Sequence, residues 1–464
     1  MKIVVLLCLF WALTGCQQQH LQIFPPLPSE SLMTQTFTKA QMHEDIDALI
    51  AGALARHPNF HAYANLPAVY DYAEGLKSRL DGPLTRVQFY KIVGQLSHQF
   101  NDGHSMLIWP YPEYERLQER GHSVFPFAVE ITPRGKVFIE QDYRDAEGNR
   151  LLAGSEIVAI NNTPMPELLD ELQKYAGGET PYLRLQFVAA RFGLSLWAVK
   201  GFQDEFEIQL AGREGAIRVD GQQQWTAYPE ASEDNSKPDF YYERLNDETG
   251  FLYLDHFDIE PSEFEDFVDD SFARIKRQKI QNLIIDVRNN TGGNTDTVTY
   301  LTRHLASKPF RLVSSLTEKL NADNRGWFNY KGAEGELVHT NWDEWQQPIA
   351  DDKRFDGNAF VLIGPLTYSA GIVFATTVKD NEMARLVGEE TEGFANQTAQ
   401  GNLFNLPHSK LRAYITTRML VRPSGERIRG GVKPDIEAKV TQTSLQNKKD
   451  VALNKALAII NSNT

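Results

Sequence analysis

A serine at position 369 has the surroundings of a catalytic nucleophile. The stretch TYSAG, residues 367–371, lies between the apolar runs NAFVLIG and IVFATTV, which predict a strand and then a helix that begins at Ser369. The first amides of a helix are unpaired and lie at the positive end of its dipole, so an oxyanion formed there would be stabilised. Ala370 would supply one such amide. The alternative is that Ser369 only caps the helix.

A serine nucleophile needs a base, and His104 in NDGHSML, residues 101–107, is the candidate that the sequence offers. A neutral imidazole, with an ordinary pKa of about 6.5, can accept a hydroxyl proton at neutral pH. The alternative is a structural histidine that stabilises a loop. His408 in LPHSKL is a competing base.

The glycines of IIDVRNNTGGN, residues 284–294, are candidates for a second backbone donor. They follow an apolar strand that ends in Asp286, and glycine lets a backbone approach a ligand closely. The alternative is an ordinary turn between a strand and a helix. We expect Asp286 and Arg288 to form a structural ion pair rather than to exchange protons.

Three regions must position these residues. Apolar spacing after residue 42, with a capping box at Thr85 and Gln88, predicts a helical domain at 37–118. Alternating strands, a helix near Pro166 and a hairpin in FEIQLAGREGAIRV predict a β module at 119–212, although the segment from 180 to 235 is otherwise ambiguous. Strands that alternate with helices predict an α/β core at 236–445, followed by a helix at 446–464.

Composition limits the classes of function. The chain has 464 residues, 42% hydrophobic and 23% charged, which is typical of a globular protein of several domains. The formal net charge of −14 argues against a nucleic-acid partner, since phosphate binding needs a basic face. No cluster has metal-ligand spacing and no glycine-rich loop carries a phosphate-binding lysine, so we expect no metal or cofactor.

The first residues predict export. MKIVVLLCLFWALTG, residues 1–15, has the features of a signal peptide, and LTGC resembles a bacterial lipobox in which Cys16 is lipidated. Residues 16–36 would be a tether to the membrane. Gln17 after the cysteine favours the outer membrane of a Gram-negative envelope, facing the periplasm. The alternative is an ordinary signal peptide with a chance cysteine.

Taken together and in this order, the motifs resemble the C-terminal processing (tail-specific) serine protease family. The resemblance covers roughly residues 40–440 and includes LVGEETEG and GGVKPDI, residues 430–436. It implies a ClpP/crotonase-like core, Ser369 as nucleophile, and Gly292, with Gly293 possible, beside Ala370 as oxyanion donors. GSEIVAINN, residues 154–162, resembles a PDZ module, which would bind a peptide as an added strand. An unrelated β-α unit is the alternative.

The sequence departs from the serine–lysine branch of that family. Phe394 in GEETEGFANQ occupies the place of the lysine, while Lys379 and Lys410 lie elsewhere in the pattern. In the branch that includes the tricorn core protease, a histidine serves instead, and His104 matches its position.

In that branch a serine beside the histidine and a distant glutamate orient the imidazole. Here Ser105 follows His104 rather than preceding it, and Ile428 stands in the place of the glutamate. Glu389 and Glu426 are the remaining candidates, and the choice stays open.

The sequence therefore predicts an α/β multidomain protein with an N-terminal helical region, a PDZ-like β module and a C-terminal α/β catalytic core. The predicted function is an exported, lipid-anchored serine endopeptidase that cleaves unfolded or tail-exposed proteins through an acyl-enzyme. The alternative is a non-catalytic envelope lipoprotein that binds a peptide or small ligand, as retinoid-binding relatives in the family indicate. A purely structural lipoprotein would leave the three motifs unexplained.

Overall fold

The computed structural model describes residues 29–145, 148–221, 226–227, 238–326, 331–441, 443–444, 447 and 449–462. Outside these ranges lie the signal peptide, Cys16, most of the tether and residues 228–237. Within them the protein is a mixed α/β structure with several sheets, which confirms the predicted fold class. No helix in the described ranges is long and apolar enough to cross a membrane.

The N-terminal region is mainly helical. Its helices are α1 (Lys39–Arg56), α2 (Phe60–Tyr63), α3 (Leu66–Ser78), α4 (Arg86–Val93) and α5 (Tyr111–Glu119), with 3-10 turns at Glu30–Met33 and Gly94–Phe100. Its strands are β1 (Thr36–Phe37), β2 (Leu84–Thr85) and β3 (Ser105–Leu107). The predicted capping box is confirmed, because the side chains of Thr85 and Gln88 each accept a hydrogen bond from the other's backbone amide.

The middle region is built around one antiparallel sheet. Its strands are β4 (Val129–Ile131), β5 (Val137–Ile139), β8 (Glu156–Ile160), β9 (Thr163–Pro164), β10 (Glu205–Leu210) and β11 (Ile217–Asp220), in the order β11-β10-β8-β5-β4 with β9 beside β8. A small sheet combines β6 (Tyr143–Arg144), β7 (Arg150–Leu151) and β12 (Thr226–Ala227). The hairpin β10–β11 is as predicted, and its second strand extends to Asp220.

Three helices complete this region. They are α6 (Met165–Leu172), α7 (Pro181–Ala189) and α8 (Phe192–Lys200), with a 3-10 turn at Gln173–Tyr175. The first begins where the sequence predicts a helix, whereas α7 and α8 occupy a segment with no clear pattern. Gln186 of α7 donates its side-chain amide to the carbonyl oxygen of Ile131 at 2.7 Å, so α7 lies along the outer edge of β4.

The C-terminal region is an α/β core. Its main sheet has the order β13 (Phe240–Arg244), β14 (Thr249–Leu254), β15 (Asn282–Asp286), β18 (Asn358–Ile363), β19 (Arg385–Gly388), β22 (Ile436–Glu437), and all neighbours after β13 are parallel. The apolar faces of α9 (Pro261–Arg277), α10 (Thr295–Arg303) and α11 (Ala370–Asp380) share one hydrophobic cluster. The C-terminal helix α12 (Val451–Ser462) belongs to another. Because parallel strands end at one edge of the sheet, the loops after β15 and β18 meet there.

A second sheet links the core to the N-terminal region. It contains β16 (Ser315–Lys319), β17 (Leu337–Asn341), β20 (Thr398–Asn405) and β21 (Arg412–Val421), and β3 pairs with β21. The buried carboxylate of Asp45 on α1 also accepts the amides of His408 and Ser409 in the β20–β21 turn, both at 2.8 Å. The loop that carries His104, immediately before β3, is therefore fixed against the core.

Candidate active site

Ser369 lies at the N-terminus of α11 in a strained backbone conformation. Its φ of 51° and ψ of −118° are unusual for a residue other than glycine. Its side chain makes no capping hydrogen bond to the helix, so the cap interpretation lacks the contact that it requires. The carbonyl oxygen of Ser369 accepts the side-chain amide of Gln397 at 2.8 Å, which holds the turn in place. A partly exposed serine hydroxyl on a rigid turn is suited to act as a nucleophile.

The loop after β15 approaches this turn closely. A β-carbon on Gly292 would lie 2.5 Å from the β-carbon of Ser369 and 3.0 Å from both the Ser369 Oγ and the Ala370 nitrogen. With a φ of 111°, this position requires glycine for conformation and for space. The carbonyl oxygen of Asn290 accepts the amide of Tyr368 at 2.9 Å and joins the two loops.

The arrangement changes the expected choice of oxyanion donor. The amide of Gly292 donates to the side-chain oxygen of Asn290 at 3.0 Å, so it is already engaged. Gly293 forms an isolated parallel β-bridge with Phe257. The amide of Phe257 donates to the carbonyl oxygen of Gly292, and the carbonyl oxygen of Phe257 accepts the amide of Asn294. The amide of Gly293 therefore points away from Phe257. Among the hydrogen bonds of the described residues, the amides of Gly293 and Ala370 have no acceptor. The geometry therefore favours Gly293 over Gly292 as the partner of Ala370.

His104 lies beside the nucleophile turn but is not hydrogen-bonded to Ser369. Its ring stacks on Tyr368, the residue before Ser369, with centroids 4.8 Å apart. Within the described part of the chain, no hydrogen bond joins the Ser369 hydroxyl to the imidazole. Catalytic hydrogen bonds of unliganded enzymes are often long and shorten only when substrate binds. Burial lowers the pKa of His104 below its ordinary value, and the charge of Asp102 opposes this effect.

Two hydroxyl groups contact the Nδ1 atom of His104. Thr398, the first residue of β20, places its Oγ1 at 3.2 Å, and Tyr368 places its Oη at 3.1 Å. Gly103 allows the tyrosine to come this close, since a β-carbon there would lie 2.3 Å from the Tyr368 Oη. Neither Thr398 nor Tyr368 has a role in the sequence-based hypothesis.

A carboxylate lies behind each hydroxyl. Asp102 accepts the Thr398 hydroxyl at 2.5 Å, and Glu179 accepts the Tyr368 hydroxyl at 3.0 Å. Burial acts to raise the pKa of Asp102, but the side chains of His57, His104 and Ser105 lower it to about 2. Burial, with the charge of Asp102, raises the pKa of Glu179 to about 8. Asp102 is therefore ionised at neutral pH, whereas Glu179 is largely protonated.

The three expected orienters of His104 are engaged elsewhere. The Ser105 hydroxyl donates to Asp102 at 2.6 Å, and Glu426 pairs with Arg422 at 3.0 Å. Glu389 lies near other carboxylates and Lys439, and burial raises its pKa. In the described residues none of the three is hydrogen-bonded to the His104 ring. Asp102 has no role in the sequence-based hypothesis, although it lies two residues before His104 in the same motif, because that motif does not indicate the distant Thr398.

Phe394 stands where the other branch has its lysine. Its ring lies 6.0 Å from the ring of Tyr63, and the guanidinium of Arg429 lies 4.9 Å from its centroid. Phe394 therefore makes an aromatic contact with Tyr63 and a cation–π contact with Arg429. Lys379 donates to Asp435 at 2.7 Å, and Lys410 donates to the carbonyl oxygen of Pro407.

The remaining sequence candidates have structural contacts. His408 pairs with Glu44 at 2.6 Å in the turn that packs on α1. Arg288 pairs with Asp286 at 2.5 Å and with Asp450 at 2.7 Å, which confirms the predicted ion pair and ties the segment before α12 to the core. No group of three residues suited to hold a metal ion occurs in the described ranges.

The model of peptidase family S41 matches residues 248–438. This segment, less than half of the chain, is therefore similar to peptidase family S41. It contains the glycines at 292 and 293 and Ser369, and it confirms the predicted enzyme class, a serine-type peptidase. His104 lies outside the matched S41 segment, so the match does not test which branch of the family this chain resembles.

Solved structures are similar to this chain at the level of the fold. Mature CPAF in complex with lactacystin has a TM-score of 0.66 and 15% identity over 91% of this chain and 97% of that one. Mature CPAF alone has a TM-score of 0.62 and 16% identity over 90% and 96%. No curated protein is similar enough in sequence to match this chain.

Proposed function

We propose that this protein is an exported, lipid-anchored serine endopeptidase in which His104 is the general base. One observation carries the proposal: Ser369 begins a helix whose first amide, at Ala370, is unpaired among the described residues, its turn packs against Gly292, and it directly follows a tyrosine that contacts His104. Ser369 attacks the scissile carbonyl while His104 accepts its proton, and the amides of Ala370 and Gly293 stabilise the oxyanion. His104 then donates the proton to the leaving amine, and water hydrolyses the acyl-enzyme.

The proposed substrates are unfolded or tail-exposed polypeptides. An unfolded polypeptide is extended, so it can reach a site at the edge of the main sheet. The middle region has the sequence features of a PDZ-like module. Its outer strand β4 is the edge at which a peptide would add. Gln186 already donates to Ile131 on that edge, so an incoming peptide has to replace this bond.

A covalent probe tests the nucleophile directly. A fluorophosphonate should label the wild-type protein at Ser369 and leave Ser369→Ala unlabelled. The wild type should also cut a reduced, alkylated protein at internal bonds, which mass spectrometry of the products identifies. A folded wild type that neither reacts with the probe nor cleaves unfolded protein would contradict the proposal.

A non-catalytic binding protein is the second candidate. The absence of a hydrogen bond between Ser369 and His104 in the described structure is the observation that favours it. Such a protein would bind peptides without turnover, and its affinity would not depend on the Ser369 hydroxyl. Equal peptide affinity of wild type and Ser369→Ala, with no cleavage by either, would support it.

The lipid anchor rests on the sequence alone. We propose that Cys16 carries the lipid and that Gln17 directs the protein to the outer membrane, facing the periplasm. Cys16→Ser should remove the acyl mass and release the protein from the membrane fraction. Mature wild-type protein without an acyl group on Cys16 would contradict the anchor but not the peptidase.

A further inference from the structure

His104 has a buried carboxylate behind its Nδ1 atom, although the glutamate of the histidine-containing branch is replaced by Ile428. Asp102, the Thr398 hydroxyl and Nδ1 are connected in sequence by contacts of 2.5 Å and 3.2 Å. Asp102 and Thr398 are each 0% exposed, and His104 is 8% exposed. Water does not screen hydrogen bonds that are buried to this degree, so their electrostatic effect on His104 is strong.

Counting the hydrogens that Asp102, Thr398 and His104 can donate shows which group is the donor in each hydrogen bond. Oδ1 of Asp102 accepts the amide of His104 and the Thr398 hydroxyl, and Oδ2 accepts the Ser105 hydroxyl. A carboxylate with these donors is ionised, which agrees with its low pKa. The single proton of Thr398 is therefore directed to Asp102, and the lone pairs of Thr398 remain for His104. Nδ1 must then carry a hydrogen, and Nε2 carries the lone pair.

The opposite side of the ring agrees with this tautomer. Tyr368 is the other group facing Nδ1, and its hydroxyl donates to Glu179 at 3.0 Å. A protonated Glu179 still has a carbonyl oxygen that accepts this hydrogen, so the Tyr368 lone pairs are available to an Nδ1 hydrogen. Asp102, through Thr398, and Glu179, through Tyr368, are the titratable groups near this atom, and only Asp102 is ionised at neutral pH.

We infer that Asp102, acting through the Thr398 hydroxyl, positions His104 and holds it in the tautomer whose Nε2 can accept the proton of Ser369. This inference rests on the proposed histidine-dependent peptidase. When Nε2 takes the proton, the imidazolium charge is stabilised through Thr398 by the Asp102 carboxylate, and no proton moves to Asp102. Since Asp102 and His104 lie in the N-terminal region and Thr398 lies in the core, the base is oriented only when the two regions are joined.

Substitutions at Thr398 test the connection. Thr398→Val keeps the shape of the side chain and removes the hydroxyl. We expect kcat to fall about 10- to 100-fold, the scale known for outer partners of metal-bound histidines, with little change in KM. Thr398→Ser should restore most of the rate. Thr302→Val is the matched control, because that buried hydroxyl donates only to the carbonyl oxygen of Val298 in α10.

The pH profile separates positioning from packing. The charge of Asp102 raises the pKa of His104, so Asp102→Asn should move the acid limb of kcat/KM to lower pH and also lower the plateau. A residue that only supports the fold would leave the limb in place. Thermal unfolding of each variant shows whether it is folded.

Nitrogen NMR of histidine-labelled protein decides the tautomer without any activity. In the full chain with Ser369→Ala, His104 should show a hydrogen on Nδ1, and adding Thr398→Val should shift the population toward Nε2–H. An Nε2–H tautomer in the Ser369→Ala protein would overturn the inference, as would a Thr398→Val enzyme with unchanged kcat and pH profile. If no peptide is cleaved by any variant, the proposed function fails while the tautomer still decides this inference.

Discussion

Ser369 is positioned by the backbone of its own region, whereas His104 is positioned by side chains from distant segments. The serine lies between β18 and α11 at a φ of 51°, with Gly292 packed against it. The histidine contacts Thr398 from β20 and Tyr368 from the nucleophile turn, and both hydroxyls are held by further carboxylates. The proposed nucleophile therefore depends on local strand–turn–helix geometry, and the proposed base depends on the docking of two regions.

The comparison predicts that either residue, once removed, disables the same reaction. Ser369→Ala, His104→Ala and the double variant should all lose kcat on the order of 10⁴- to 10⁶-fold and reach a similar floor, because nucleophile and base act as a unit. Cleavage of an unfolded protein substrate measures this loss. His408→Ala is the control and should stay near wild type, since His408 pairs with Glu44 on α1. A His104→Ala rate close to wild type would show that another group takes the proton.

The proposed base, His104, should set the acid limb of the wild-type pH profile. The neutral imidazole is the active form, so kcat/KM should rise with pH through the pKa of His104. Because burial lowers that pKa, the limb should lie below the ordinary histidine value of about 6.5. A limb well above that value would indicate a different base.

A substitution in the nucleophile region should act through backbone space. Gly292→Ala places a β-carbon 2.5 Å from that of Ser369, so the turn must shift and the oxyanion donors move. We expect kcat to fall about 10²- to 10³-fold, the scale of one lost oxyanion donor. Gly121→Ala is the matched control, because Gly121 also has a positive φ, of 83°, but has open space around it. Equal effects of the two substitutions would mean that backbone strain, not contact with Ser369, is responsible.

Substitution of Glu179, which contacts the Tyr368 hydroxyl beside His104, should change how the stability of the protein depends on pH. The folded pKa of Glu179, about 8, lies above the ordinary carboxyl value of about 4.3, so the folded protein binds more protons between these limits. The resulting stability is complete below the unfolded pKa and is lost as pH rises through about 8. The Tm of the wild type should therefore fall relative to Glu179→Gln as pH rises from about 5 to about 8, and level off above that.

The control for this measurement is Glu214→Gln, which changes an exposed carboxyl between β10 and β11. Its Tm should follow that of the wild type at every pH. Parallel Tm curves for wild type and Glu179→Gln would show that Glu179 is already ionised at neutral pH.

The smallest effect is expected at Phe394. Phe394→Ala removes a ring that contacts Tyr63 and Arg429, so it should weaken cleavage a few-fold through packing without abolishing it. Phe394→Lys combined with His104→Ala should stay inactive, because the surroundings are not built to hold a neutral lysine against Ser369. Vigorous cleavage by this double variant would show that the serine–lysine arrangement remains accessible.

Sequence patterns predicted the elements whose partners are close in the chain. The capping box at Thr85, the helix near Pro166, the β10–β11 hairpin and the buried strand before Asp286 are all present. The helices α7 and α8 were not predicted, because much of their surface packs on other elements and no single apolar face identifies them. The pairing of β3 with β21 joins residues about 300 positions apart and leaves no local signal.

The sequence by itself determined the turn that carries Ser369, the glycine-containing loop that approaches it and the motif that contains His104. These features depend on backbone conformation within a few residues, and the residue types of a short segment largely determine that conformation. Only the tertiary structure decided that the amide of Gly292 is engaged by Asn290 while that of Gly293 stays unpaired. It also decided that Asp102 reaches His104 through Thr398, because a hydrogen bond between residues 296 positions apart exists only once the N-terminal region and the core have packed together.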